Sequence, residues 1–193
     1  MSAHPAPPDP RKLGALPAAG KDAKRSAIEV DVTLAPPSGW QSITPRPPAR
    51  LQYYLAADEC LPPNVSVVVG ADDGTPLEKV PAIYNETMPK AFPGWKAVEI
   101  SDETIDGQKF CRIAGSCTVN HEKLFGVWYV ARWRNAQVVT VTYTFPESRY
   151  AELKAAIDRS IQTIRLWEAG VPTALPVPQT LPAKKSLPPA KSE

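Results

Sequence analysis

The sequence predicts an α+β domain in which a single, mainly antiparallel β-sheet is packed by α-helices. Two observations support this fold class. Between residues 95 and 146, four strand-like segments follow one another and are separated only by short turns. On either side of this run, residues 75–95 and 146–166 place apolar side chains at helical spacing. Each helix therefore has one apolar face, which a sheet can cover.

Proline is concentrated at the two ends of the chain. Of the 23 prolines among the 193 residues, five lie in residues 1–25 and six lie after Leu166. Both ends lack apolar periodicity, so they cannot bury enough apolar surface to offset the entropy lost on ordering. We therefore predict a disordered, Pro-rich basic arm at residues 1–25, a folded domain at residues 26–166 and a disordered Pro-rich tail at residues 167–193.

The charge distribution argues against a nucleic-acid-binding domain. The net charge is +2, with five Lys or Arg against two Asp in residues 1–25 and three Lys against two Glu in residues 167–193. The domain between them is therefore near −2, whereas a surface that binds nucleic acid is basic. No apolar run approaches the roughly 20 residues that cross a bilayer, and none near the start resembles a signal peptide. We expect a cytoplasmic protein that neither binds nucleic acid nor inserts stably into a membrane.

The first part of the domain alternates strands with proline-rich breaks. Residues 27–34 alternate apolar and polar side chains, as in a half-buried strand. The stretch "LAPPSGW", Leu34 to Trp40, ends that strand, because proline donates no ladder hydrogen bond and glycine permits a tight turn. Further strands are predicted at residues 40–44, at "LQYYLAA" from Leu51 and at "VSVVVGA" from Val65.

The next segment predicts a helix. Thr75 followed by Pro76 is typical of an N-cap with proline at the first helical position. Pro81 leaves two interpretations open: an irregular first turn, or a regular helix that begins there. Four apolar residues fall on one helical face: Leu77, Val80, Tyr84 and Met88.

The four segments that follow predict an antiparallel meander. Asp106-Gly107 is a strong hairpin signal between the first two strands, "NHEK" links the second to the third, and Asn135-Ala136 turns the chain into the fourth. Apolar residues occupy both faces of the third strand. We therefore expect a sheet that is covered on both sides, or one with an open face used for binding.

The last element is a helix with a continuous apolar stripe and charges on its other face. The stripe consists of Tyr150, Leu153, Ile157, Ile161 and Ile164.

Residues that usually carry out catalysis are few and scattered. The two histidines are His4, in the basic arm, and His121, in a turn. Cys111 and Cys117 face the same way on one strand, but ligands so far apart on a straight strand cannot reach one metal ion. Neither the P-loop nor the dinucleotide-binding motif occurs. We therefore predict no catalytic residue, no metal site and no cofactor.

The strongest candidates for binding form an aromatic and arginine cluster on the third strand of the meander. The cluster consists of Trp128, Tyr129, Arg132, Trp133 and Arg134, and we predict Trp128, Arg132, Trp133 and Arg134 as the binding residues. Tryptophan and arginine are the residues that interface hot spots favour. Trp128 and Tyr129 are neighbours and point to opposite faces of the strand, so we expect at least one of them in the core.

Several of these segments resemble a known family. They are "LAPPSGWQ", "VSVVVG", "FPGW", "IDGQKFCRIAGS" and the final amphipathic helix, which are similar to those of the LpqN/LpqT family of actinobacterial proteins, within the wider Mog/PsbP-like fold. The resemblance implies an antiparallel sheet packed between helices and no enzymatic activity. It also implies that "PPSG" forms the first corner of the fold and that Trp40 is the core residue that pins it.

The resemblance further implies a binding role. Relatives of this fold include a Ran-binding protein, extrinsic photosystem subunits, envelope lipoproteins and chaperones of type VI secretion effectors. This chain departs from the lipoproteins because it has no signal sequence and no early lipidation cysteine. We expect a non-enzymatic bacterial adaptor or chaperone for a secreted or envelope protein. The alternative is a carrier that holds a lipid or other apolar ligand between helix and sheet.

Overall fold

The computed structural model describes residues 29–56, 61–119, 121–134 and 136–170. The predicted basic arm and almost all of the predicted tail lie outside these ranges. The strands are β1 (Val30–Thr33), β2 (Gln41–Ser42), β3 (Ala49–Tyr54), β4 (Asn64–Ala71), β5 (Lys96–Ile105), β6 (Gln108–Val119), β7 (Glu122–Trp133), β8 (Gln137–Pro146) and β9 (Arg165–Glu168). The helices are α1 (Val80–Ala91) and α2 (Tyr150–Ile161).

Seven of the strands form one antiparallel sheet in the order β2-β3-β4-β8-β7-β6-β5. The meander predicted from the sequence is β5 to β8, in which each strand pairs with the next along the chain. Strands β1 and β9 pair with each other as a separate antiparallel ribbon. The predicted α+β class, a mainly antiparallel sheet packed by helices, is confirmed.

One face of the sheet carries the larger part of the core. Helix α2 packs there with the predicted apolar stripe, and Tyr129, Tyr143 and Val67 reach it from the strands. The ribbon adds Val30 to the same cluster. Four of the five residues of the stripe are almost fully buried: Leu153, Ile157, Ile161 and Ile164.

Helix α1 packs on the opposite face of the sheet. Its buried residues Val80, Tyr84 and Met88 meet Trp95 and Trp128 over β6 and β7. The regular helix begins at Val80, so proline stands in its first turn, and the preceding turn, Leu77–Lys79, is a 3₁₀ helix. The structure thus combines the two interpretations: the first turn is irregular, and the regular helix begins one residue before Pro81.

The corner that contains "LAPPSGW" is pinned as the resemblance implied. Gly39 adopts a φ of +85°, a conformation that glycine adopts without strain. The N–H of Trp40 donates to the Pro37 carbonyl oxygen at 3.2 Å. The Trp40 ring is buried and meets Tyr143 edge-on, with ring centroids 6.4 Å apart. The break after β1 therefore serves the fold.

The predicted boundary between domain and tail at Leu166 falls inside β9. Trp167 and Glu168 belong to the ribbon, where they pair with Asp31 and Val30, and the N–H of Ala169 donates to Glu29. The physical reason is that β1 would otherwise leave its backbone groups without a strand partner.

Candidate protein-binding surface

Two hairpin turns and the ribbon meet at one end of the sheet. The β5–β6 turn is built on Asp106 and Gly107, both with positive φ, which suits the tight two-residue hairpin predicted there. The β7–β8 turn lies beside it and follows Trp133 and Arg134. We call this end, with Arg132, Trp133, Arg134 and the residues that contact them, the Trp133 corner.

Trp133 lines a small cleft at this corner. Its ring packs against the α2-side core, and the cleft is lined by Ile105, Asp106, Gln108, Phe110, Trp133, Ile164 and Leu166. The volume is about 20 Å³, room for about one water molecule, so this cleft does not hold an acyl chain. The indole N–H is buried, and no acceptor lies within reach of it among the described residues.

The guanidinium of Arg134 covers the exposed side of that ring. Its central carbon lies 5.2 Å from the centroid of the Trp133 ring, within the range of a cation–π contact. Nη1 of the same guanidinium lies 2.6 Å from Glu168 Oε2, on the ribbon. The Arg134 guanidinium thus contacts both the Trp133 ring and the ribbon.

Arg132 and Arg165 complete the charge pattern of the corner. Arg132 Nε donates to Asp72 Oδ2 at 2.7 Å, and the Asp72 side chain is only 2% exposed. This pair ties the loop after β4 to the end of β7. Arg165 Nε lies 3.5 Å from Asp106 Oδ2. The three arginines of the corner are thus each matched with one carboxylate.

Trp128 does not share this location, and its place in the predicted binding cluster is corrected. It is 2% exposed and lies beneath α1, edge-on to Tyr84 and Trp95. Its neighbour Tyr129 is also fully buried, on the α2 side. Both faces of β7 are covered at this point, so both residues of the alternating pair belong to the core. The exposed cluster reduces to Arg132, Trp133 and Arg134.

The partners of that cluster could not be read from the sequence. Asp72 and Glu168 lie far from it along the chain, and β9 was not predicted. The residues after the final helix gave no strand signal, because the two apolar residues of "RLWE" are adjacent and do not alternate with polar ones.

The thiols and the turn histidine lie away from the corner. Cys111 and Cys117 face the same side of β6, as predicted, and contact the α1-side cluster. Burial raises the pKa of Cys111 to about 11 and also raises the pKa of Cys117. Neither thiol is therefore a ready nucleophile at neutral pH. His121 lies in the β6–β7 turn, at the opposite end of the sheet from Trp133.

Two further properties bear on the class of protein. Within the described ranges, no three His, Cys, Asp or Glu side chains are grouped so that they could hold a metal ion. In the same ranges, neither helix has the length and apolar character that crossing a bilayer requires.

A buried arginine forms a second electrostatic centre, near the edge of the sheet. Arg112 is 3% exposed, and its Nε donates to the Tyr129 hydroxyl oxygen at 3.3 Å. Its Nη1 lies 2.8 Å from Glu99 Oε2, and its Nε lies 3.6 Å from Glu103 Oε1. Burial disfavours the charged guanidinium, but Glu99 and Tyr129 outweigh this effect and raise the pKa of Arg112. The charged side chain thereby ties β5 to the α2-side core.

Comparison with known proteins identifies the fold. No protein-family model matches the sequence. No curated protein matches it in sequence either. The structure matches that of LpqN, involved in cell envelope biogenesis of Mycobacterium tuberculosis, with a TM-score of 0.61 and 15% identity over 74% of this chain and 87% of LpqN. It also matches cyanobacterial PsbP, CyanoP, from Synechocystis, with a TM-score of 0.53 and 15% identity over 80% of this chain and all of CyanoP.

The chain has the Mog/PsbP-like fold. Both matched proteins have this fold, so the resemblance drawn from the sequence is confirmed at the level of architecture. At 15% identity the match establishes the fold and carries no function with it. Function must be argued from the surfaces that this chain builds on the fold.

Proposed function

We propose that the protein is a non-enzymatic binding module, an adaptor or chaperone, that docks a protein partner at the Trp133 corner. The observation that carries the proposal is a half-buried tryptophan at the end of the sheet, with the guanidinium carbon of Arg134 5.2 Å from its ring centroid.

The surroundings of Trp133 support the same function. Interface hot spots are enriched in tryptophan and arginine, and they sit in pockets that exclude water. Arg132 is held by Asp72, whose side chain is 2% exposed, so little of the side-chain entropy of Arg132 remains to be lost on docking. The corner therefore presents the aromatic surface of Trp133, surrounded by arginines whose ion pairs could be replaced by ion pairs with a partner.

The distribution of reactive groups supports a role without catalysis. Catalysis by a thiol needs a thiolate and a base within hydrogen-bonding distance. Burial raises the pKa of both described thiols, and His121 lies at the far end of the sheet from the Trp133 cleft. We propose further that the protein works in the cytoplasm and that its client is a secreted or envelope protein. The class of client rests on analogy of fold, since LpqN is involved in cell envelope biogenesis.

Affinity capture with the full-length chain tests the proposal. Wild type, Trp133→Ala and Arg134→Ala would be used as baits in native lysate, with Tyr54→Ala as the matched aromatic control. Tyr54 is half-buried and lies on β3, far from the corner in the strand order. We expect a partner captured by wild type and Tyr54→Ala at equal yield and lost at least tenfold with Trp133→Ala and Arg134→Ala, while circular dichroism shows that each variant is folded.

Two results would contradict the proposal. Equal capture by wild type and Trp133→Ala would show that the corner does not dock the partner. A small apolar molecule that co-purifies with the chain, detected by native mass spectrometry, would favour the carrier alternative instead.

A further inference from the structure

Strand β5 is a long edge strand of the seven-stranded sheet. Among the described residues it pairs only with β6, so backbone N–H and C=O groups along its outer side have no strand partner there. Proteins usually protect such edges with short strands, bulges or covering segments. The opposite edge strand, β2, has two residues, whereas β5 has ten. The bulge in β5 lies at Val98, and Glu99–Ile105 continue in unbroken register with β6.

The same strand carries exposed apolar side chains. Val98 is 63% exposed and Ile100 is 43% exposed, and among the described residues the other large hydrophobic side chain with comparable exposure is Ile43. Ile100 stands opposite Ile113, which belongs to the α1-side cluster, and directly opposed residues of a pair share a face. An apolar side chain on an added strand would cover Ile100 on this α1 side.

The other face of β5 carries excess negative charge. Glu99 and Glu103 lie on the α2 side and form ion pairs with Arg112. Glu103 also interacts electrostatically with Asp158 and Lys154 on α2. Lys154 is already paired with Asp158 at 2.6 Å. Three carboxylates on this face therefore lie near only two cations, Arg112 and Lys154. On the α1 side, by contrast, Asp102 is matched by Lys109 at 2.8 Å.

We propose that the outer edge of β5 docks an extended peptide segment in which apolar and basic residues alternate. The segment joins the seven-stranded sheet as an eighth strand. Its backbone pairs with Glu99–Ile105, its apolar side chains lie beside Ile100, and its Lys or Arg side chains lie beside Glu99 and Glu103. This inference goes beyond the docking proposed at the Trp133 corner and stands independently of it, because it uses a different surface.

Charge complementarity selects this occupant over a second copy of the chain. Strand β5 contains three carboxylates, Glu99, Asp102 and Glu103, and one cation, Lys96. Two copies paired through β5 would bring acidic strands together, and like charges directly opposite each other are destabilising. A basic extended segment meets no such repulsion.

The experiment uses the isotope-labelled full-length chain and nuclear magnetic resonance. The probe is a blocked eight-residue peptide in which Val alternates with Lys or Thr, and the matched probe has Glu in place of each Lys. With the basic probe, alternate amides between Glu99 and Ile105 should exchange with solvent at least tenfold more slowly, because only every second N–H points to the outer edge. The acidic probe should leave their exchange unchanged.

Two variants localise the contact. Glu103→Gln removes one carboxylate and should weaken binding of the basic probe about threefold to fivefold, the effect of a partly exposed ion pair. Ile100→Thr keeps a β-branched side chain but loses apolar surface, and it should weaken binding severalfold. Ile43→Thr, a matched change at an exposed isoleucine outside β5, should leave binding unchanged, as should Trp133→Ala.

Each remaining outcome overturns the inference. Slow exchange of the β5 amides in the free chain at every concentration would mean that the chain's own residues already fill the edge. Slow exchange that increases with protein concentration would mean that a second copy fills it. Peptide-induced shifts at the Trp133 corner with none along β5 would place the site elsewhere.

Discussion

Two glycines face each other across β6 and β7, and their lack of side chains lets two tryptophan rings lie against the backbone. Gly115 pairs with Gly126. A Cβ added at Gly126 would lie 2.1 Å from Trp128 Cη2 and 2.5 Å from Cζ3. Real Cβ atoms do not approach other atoms so closely, so the ring would have to move.

The Trp128 ring has little room to move. It is 2% exposed, its centroid lies 5.1 Å from that of Trp95, and Tyr84 contacts it edge-on at 6.3 Å. Inserting a methyl group into such a core costs about 1–3 kcal/mol. Replacing a strand glycine by alanine returns about 0.5–1 kcal/mol. We therefore predict that Gly126→Ala destabilises the protein by about 1–2 kcal/mol.

Urea denaturation followed by circular dichroism measures this effect. Gly70→Ala is the matched control, because Gly70 also lies in a strand and a Cβ there meets nothing within 4 Å. The control should be neutral or slightly stabilising. An unfolding midpoint for Gly126→Ala at or above that of wild type would refute the steric argument.

Three further predictions concern buried polar groups. The Tyr143 hydroxyl donates to Ser160 Oγ at 2.9 Å, and Ser160 Oγ donates to the Ala35 carbonyl oxygen at 2.6 Å. Ser160→Ala should therefore lower the free energy of unfolding, measured by urea denaturation, by about 1–3 kcal/mol. An unchanged free energy of unfolding would contradict this prediction. Burial raises the pKa of Glu103, and Arg112 lowers it only in part. The folded state then holds this proton to higher pH than the unfolded chain, so its contribution to stability falls as the pH rises above about 4.3. In Glu103→Gln that fall should be smaller than in wild type, and an unchanged pH profile would argue against the assignment. Since burial raises the pKa of Cys111 to about 11, iodoacetamide at pH 8 should alkylate it far more slowly in the native protein than in urea, as mass spectrometry would show.

Local patterns predicted the elements that bury one face or turn tightly. The helical stripe of α2, the Asp106-Gly107 hairpin and the β5–β8 meander depend on side-chain period and turn chemistry, which neighbouring residues specify. The pairing of β8 with β4, far apart along the chain, depends on which apolar faces meet in three dimensions. Periodicity within one segment does not contain that information.

The candidate site divides in the same way. Its residue types were visible in the sequence, since Arg132, Trp133 and Arg134 are consecutive. The sequence by itself determined that β7 would place aromatic residues on both faces and that Trp128 and Tyr129 would point apart. Only the tertiary structure decided that both are buried and that Trp133 is half-buried at the end of the sheet. The reason is that burial depends on where α1, α2 and β9 pack, and those elements lie far from β7 along the chain.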